Sequence, residues 1–313
     1  MIQRRRRRSA LAAVLALVLT ASIAACGGDD ADDADDQTIE AIDGPTIRIA
    51  PQDFAEAKTL TEVYAQYLEA QGFKIDLQAP NGFRDIVYPG LEADDLDMII
   101  DYTGSAAGFL DPDAPKSADP DESFAKLQAV LADRELVAYD YAEAEGANAL
   151  VVLKSFATEN ELTTISDLAK LGTIKLGADE DCRQRTDCLL GYQDTYGLTV
   201  EFTALSYGPA LTEGLSAGAI QAAQYATTAP QLASGDFVAL EDDKGILSAD
   251  NIVPVLRAEL DEAYGDQLRE AIDTITELLT TEDLIAWNVR TDINKEESDD
   301  VAEDWLESKG LVD

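Results

Sequence analysis

The chain contains no histidine in 313 residues, only three cysteines, two tryptophans and two methionines. Without histidine it lacks the commonest general base near neutral pH and the commonest zinc ligand. Serine–histidine and cysteine–histidine hydrolases and the usual zinc enzymes are thereby excluded, whereas an enzyme built on carboxylates alone is not. Basic residues are scarce too: 23 Lys and Arg stand against 62 Asp and Glu, a formal net charge of −39. Five of those bases are Arg4 to Arg8, and no acid precedes Asp29, so the rest of the chain is more acidic still. Nothing there offsets phosphate repulsion, which argues against a nucleic-acid partner. The length allows one large or two ordinary domains, and a hydrophobic fraction of 46% is normal for a globular core.

The first 25 residues read as an export signal: Arg4–Arg8, the apolar run Ala10–Ile23, then small residues. That run is about 14 residues, short of the ~20 that span a bilayer as a helix. Ile23-Ala24-Ala25-Cys26-Gly27 resembles a bacterial lipobox, in which the cysteine is lipidated and heads the mature protein. The arginine run also admits a twin-arginine route. Residues 26–43, with Gly27, Gly28 and six aspartates between Asp29 and Asp36, hold too little apolar surface to fold and read as a solvated tether. Cys182 and Cys188 remain, an even number in an exported chain; five intervening residues allow a small disulfide loop if the Cα atoms approach to roughly 4.4–6.8 Å. Two buried free thiols are the other reading.

Beyond the tether, short β-type runs alternate with amphipathic stretches. Thr46–Ala50 precedes the stripe Leu60, Val63, Tyr64, Tyr67, Leu68; Phe73–Leu77 precedes a helical stretch near Phe83–Leu91; Leu96–Tyr102 reads as a buried strand. This alternation predicts α/β lobes with mostly parallel sheets. After Ile252 the stripes Leu268–Leu279 and Val301, Trp305, Leu306 predict helices that pack back on the first lobe. A faint repeat relates Leu91-x-Ala93-x-x-Leu96-Asp97, running into Tyr102-Thr103, to Leu215-x-Ala217-x-x-Ile220-Gln221, running into Tyr225-Ala226-Thr227. Ligands of open α/β sheets bind outside the carboxyl ends of strands, so two facing lobes would bring Tyr102 and Tyr225 to one cleft.

These residues resemble the substrate-binding lipoproteins of ABC importers for glycine betaine, choline and related osmoprotectants. The resemblance covers roughly Thr46 to Leu311. It rests on Pro51-Gln52-Asp53-Phe54 with Glu56, on Asp101-Tyr102-Thr103-Gly104-Ser105, on Asp181-Cys182-x-x-Arg185-x-Asp187 with Tyr196-Gly197-Leu198, and on Leu240–Lys244 and Pro254–Arg257. Asn288, Asp292, Val301-Ala302 and Gly310-Leu311 follow in the family's order. Each motif is weak alone; their shared order carries the assignment. The resemblance implies an α/β fold of the type 2 periplasmic-binding-protein kind, with two lobes, a hinge and a central ligand cleft. It implies no catalysis and no cofactor, a small cationic or zwitterionic ligand, an ABC permease as partner, and a lipid-anchored monomer on the outer face of the cell membrane.

In the family a tyrosine cage surrounds the ligand's cation, because a quaternary ammonium has no N–H to hydrogen-bond and aromatic faces attract it instead. An arginine takes the ligand's carboxylate. The resemblance places Tyr102 and Tyr225 on cage positions and Arg185 on the anion position, with Thr103 and Ser105 as neighbouring donors. Two further cage positions fall on Asn148 and near Asp250, and the first loop offers Gln52. The expectation is therefore a cage with about half its aromatics missing, better suited to an N–H-bearing cation if Asn148 and Asp250 face the ligand.

Each residue also has a plainer reading. Tyr102 and Tyr225 fit core tyrosines at strand ends, and Arg185 with Asp187 fits a local ion pair. The acidic stretch Asp111–Glu122 lacks the calcium-loop ligand pattern and reads as a solvated loop. The enzyme alternative needs a convergent acid/base pair such as Asp101 and Asp250; an exported sensor is a further alternative. The expected division is a signal over 1–25, a tether over 26–43, a first lobe from 44–146 with 253–313, and a second from 149–250, hinged at Ala149–Leu153 and Ile252–Leu256.

Overall fold

The computed structural model describes residues 41–80, 82–113 and 116–312. The export signal, Cys26 and most of the tether lie outside them. Among the described residues no helix is long and apolar enough to cross a membrane.

The first half of the chain alternates strand and helix: β1 (Ile47–Ile49), α1 (Ala55–Ala70), β2 (Ile75–Leu77), α2 (Arg84–Glu92), β3 (Met98–Tyr102), α3 (Thr103–Leu110), α4 (Pro120–Ala132) and β4 (Leu136–Ala138). The middle contributes β5 (Asn148–Leu153), α5 (Lys154–Glu159), α6 (Ile165–Leu168), β6 (Thr173–Ala178), α7 (Leu189–Asp194), β7 (Thr199–Ala204), α8 (Pro209–Ser216), β8 (Ala222–Ala226) and β9 (Phe237–Leu240). It closes with β10 (Ile252–Arg257) and helices α9 (Ala258–Tyr264), α10 (Asp266–Thr276), α11 (Thr281–Asn288) and α12 (Ser298–Lys309).

Two five-stranded sheets result, ordered β2-β1-β3-β10-β4 and β7-β6-β8-β5-β9. The central strands β3, β5, β8 and β10 are buried on both faces, as sheets covered by helices require. Along β3, Met98, Ile100 and Tyr102 join a core with α1, α10 and α12, while Ile99 turns to the opposite core with α2 and α4. The α1 stripe Leu60, Val63, Tyr64, Tyr67 and Leu68 is buried in the first of these. Each such side chain contributes about 1.5–3 kcal/mol over its exposed state.

The sheets are mixed rather than mostly parallel. β10 runs antiparallel to β3 and β4, and β5 antiparallel to β8 and β9. The reason is the connectivity: each of these strands enters its sheet from the other lobe and so arrives in the reverse direction. β5 and β10, the strands expected to form the hinge, are buried inside the sheets. The chain crosses just before them, where Glu145 bridges Asn251, Gly146 N–H donates to Asp250 O at 2.9 Å and Ile252 N–H to Ala144 O at 3.0 Å.

The repeat seen in the sequence is structural. Leu96 N–H donates to Gly90 O at 3.1 Å, and Ile220 N–H to Gly214 O at the same distance. The Asp97 carboxylate accepts from Arg48 N–H at 2.9 Å, and the Gln221 amide oxygen from Lys175 N–H at 3.0 Å. Both turns thus pin the start of a strand to its neighbour by a side chain, and both deliver that strand's far end to the same place.

Candidate functional site

That place is a cavity of about 640 Å³ between the sheets. Tyr102 ends β3, Ala178 ends β6, and Tyr225 lies one residue from the end of β8, so the cavity sits at the carboxyl ends of parallel strands. Helix starts complete the walls: Phe54 to Glu56 at α1, Phe83 and Arg84 at α2, Ser105 in α3. From the other side come Asn148, the segment Asp179–Arg185, Tyr207 and Thr228. A larger depression of about 1120 Å³ lies elsewhere, between α5, residues 230–237, Val289 and Ile293. It holds neither the strand ends nor the aromatic cluster.

Aromatic rings dominate two opposed walls. On one, Phe54 stacks on Phe83 with ring centroids 6.4 Å apart and lies 6.2 Å from Tyr102. On the other, Tyr207 meets Tyr225 edge-on at 5.2 Å. Phe83 is 55% and Tyr207 48% exposed, an unusual degree for large rings beside a deep cavity. Phe54, Phe83 and Tyr207 thus stand beside the cavity in addition to the expected Tyr102 and Tyr225. Running the repeat backwards from Leu91 and Leu215 without a gap sets Phe83 opposite Tyr207, a signal the sequence held.

Charged groups are mostly committed to one another. Asp101 is fully buried and accepts from Arg84 (Nη2 at 2.6 Å), Tyr88 Oη (3.0 Å), Gln52 Nε2 (3.0 Å) and Tyr102 N–H (2.9 Å). Asp250 accepts from the Ser105 N–H and hydroxyl, each at 2.6 Å; burial raises its pKa to about 6, against the Ser105 hydrogen bonds and the nearby Arg84 charge. Glu56, buried beneath the cavity, accepts from the Tyr102 hydroxyl and from Asn288 Nδ2, which also donates to Thr228 O across the cleft at 3.0 Å. Burial raises the Glu56 pKa and outweighs those hydrogen bonds. Arg185 holds Asp187 through Nε at 3.1 Å and Nη2 at 3.0 Å, and Asp181 at 3.4 Å. Its loop is tied by a Cys182–Cys188 disulfide with Cα atoms 5.3 Å apart.

Of the residues singled out in the sequence, Tyr102, Ser105, Asn148, Arg185, Tyr225 and Asp250 line the cavity. Gln52 and Thr103 do not. Gln52 is buried behind Asp101, and the Thr103 hydroxyl donates to Ala249 O at 3.1 Å, tying α3 to the crossing strand. Their polarity satisfies buried partners rather than a ligand. Asp101, suggested as half of an acid/base pair, is saturated by its four donors and points no proton at the cavity. Asn148 and Asp250, expected to offer polar contacts, already meet Asp187 (3.5 Å) and Ser105.

A family model described as the substrate binding domain of ABC-type glycine betaine transport systems matches residues 45–308. The chain belongs to that family. Its members are binding proteins of ABC importers rather than enzymes, and they work outside the cytoplasm. The chain is 24% identical over 278 residues to the glycine betaine-binding protein YehZ of Escherichia coli (strain K12), covering 84% of this chain and 90% of that protein. It is 26% identical over 283 residues to a glycine-betaine-binding protein of Pseudomonas aeruginosa, with 86% and 89% covered. Its fold superposes on a glycine betaine/carnitine/choline ABC transporter structure with a TM-score of 0.75 (22% identity, 85% of this chain and all of that one) and on apo YehZ of Escherichia coli with 0.70 (21% identity, 85% and 99%). The architecture is that of the type 2 periplasmic binding proteins.

Proposed function

We propose that this family member captures a quaternary ammonium osmoprotectant, such as glycine betaine or choline, between its lobes and hands it to a membrane permease. The lobes are 44–146 with 253–313, and 149–250. The observation that carries the reading is the pair of opposed aromatic walls, Phe54, Phe83 and Tyr102 against Tyr207 and Tyr225. A trimethylammonium group offers no donor, so ring faces select it where hydrogen-bonding groups do not, each desolvated contact contributing about 2 kcal/mol. The engagement of Asp250 by the Ser105 N–H and hydroxyl leaves that carboxylate poorly placed to favour an N–H-bearing amine. The two glycine betaine-binding relatives agree with this ligand class. Arg185 is the group for a ligand carboxylate, Cys26 the lipid anchor holding a monomer at the outer face of the cell membrane, and residues 26–43 the tether.

Calorimetric titration of the protein beginning at Gly27 tests the ligand, using glycine betaine, choline, carnitine, proline and a plain polyamine. Binding of a trimethylammonium compound at roughly 1–100 μM is expected. Silence to every methylated cation, with heat from an N–H-bearing ligand, overturns it. Substitution Cys26→Ser tests the anchor and is expected to shift the protein from the membrane fraction to the soluble one.

A further inference from the structure

Asp187 receives cations from both lobes. From its own lobe, Arg185 forks both carboxylate oxygens at 3.0 and 3.1 Å. From the other lobe, Lys116, between α3 and α4, reaches Asp187 Oδ1 with its Nζ at 3.2 Å. The Lys116 side chain is 33% exposed and Asp187 20%, so the pair is partly shielded from water. Burial works against the Asp187 carboxylate, but Arg185 and Lys116 outweigh it and hold its pKa below the usual range. Asp181, 3.4 Å from Arg185, is 64% exposed and correspondingly screened.

The charge arithmetic gives this contact a consequence. Arg185 and Asp187 alone sum to zero. With Asp181 counted, the Arg185 fork carries a net −1; Lys116 brings the cluster to neutral, and because it belongs to the opposite lobe it contributes only when the lobes are together. Arg185 lines the cavity beside Asp181 and Cys182, so the added charge falls at the end of the cleft where a zwitterion's anionic group would lie. A choline-like ligand, lacking a carboxylate, gains nothing from it.

We propose that Lys116 is a specificity-determining residue: lobe closure brings its ammonium onto Asp187, frees the charge of Arg185 for a ligand carboxylate, and so favours carboxylate-bearing quaternary ammonium compounds over choline. The inference rests on the ligand class proposed above and assigns its discrimination to a contact outside the aromatic cage.

The test compares glycine betaine and choline affinities of wild type, Lys116→Met and Lys116→Arg by calorimetry at low and moderate salt. Lys126→Met serves as control; Lys126 makes no ion pair among the described residues and sits on α4 nearby. Lys116→Met is expected to weaken glycine betaine about five- to tenfold and choline less than twofold, with Lys116→Arg restoring the ratio and Lys126→Met leaving it unchanged. The glycine betaine preference of wild type is expected to shrink as salt rises. Equal losses for both ligands, which a simple closing latch would produce, overturn the proposal, as does an unchanged ratio. Wild-type protein that binds neither compound overturns the ligand class itself and this inference with it. Lys116 is a partly exposed loop residue, and an unchanged melting temperature excludes misfolding as the cause.

Discussion

The Tyr102 hydroxyl donates to Glu56 Oε1 at 2.6 Å, and both side chains are buried. The bond joins the end of β3 to the first turn of α1, and it fixes the tyrosine ring where the core of the first sheet meets the cavity. Glu56 meets the other lobe as well, through Asn288 and Thr228 O. One carboxyl thus holds a ring of the site and a contact across the cleft, which explains why an acid is retained where burial disfavours its charge.

Gly146 lies against that pair. A Cβ there would stand 2.7 Å from Tyr102 Cε1 and 3.1 Å from Glu56 Oε1. Gly146→Ala is expected to displace the ring, weakening ligand binding at least tenfold while costing about 1–3 kcal/mol of stability. Calorimetry and urea unfolding measured together check this; unaltered affinity would show that the ring position is unimportant.

The two exposed rings provide the cleanest test of the aromatic walls. Phe83→Ala and Tyr207→Ala remove little core packing, so melting temperatures should move only slightly. Each is expected to weaken a trimethylammonium ligand by about 1–2 kcal/mol, five- to thirtyfold. Titrations in which both variants match wild type would remove these rings from the site.

Asp250 makes stability depend on pH in a stated direction. Burial raises its pKa from 3.8 to about 6 in the folded chain, so between those values the folded protein holds more protons than the unfolded one. Its contribution is therefore greatest below pH ~4, falls as pH rises to ~6, and is constant above, a change on the order of 3 kcal/mol. Asp250→Asn, which keeps an acceptor for Ser105, is expected to lack this slope, so the wild-type-minus-variant stability should fall by about that amount over the window. Unfolding curves at pH 4, 5, 6 and 7 decide it; parallel pH profiles would contradict it.

Cys182 and Cys188 enclose the Arg185 loop. By the chain-entropy relation, a closure this short stabilises by about 2 kcal/mol. The double serine variant should lose that much and also bind carboxylate-bearing ligands less tightly, because Arg185 is then positioned by fewer constraints. A variant with lower stability but full affinity would restrict the disulfide to a structural role.

Much of the fold is readable along the chain. The stripe of α1, the buried run of β3 and the repeat around Leu91 and Leu215 follow from 3.6- and 2-residue periodicity, which are local properties. Tyr102 and Tyr225 were found through the same repeat. Gln52 and Thr103 lie outside the cavity lining, and a polar residue in a motif looks the same in sequence whether it faces a ligand or a buried partner. Phe83 and Tyr207 escaped notice because each precedes a helix, and only extending the repeat eight residues back from Leu91 and Leu215 sets one opposite the other.

Composition and pattern by themselves determined the absence of histidine chemistry, the acidic balance, the α/β alternation and the order of motifs that places the chain in its family. Only the tertiary structure decided which strand reverses in each sheet, which aromatics share the cavity, and that Lys116 meets Asp187. Those outcomes depend on residues far apart in sequence becoming neighbours. Their hydrogen bonds and charges act over a few ångströms, a distance set by packing rather than by position along the chain.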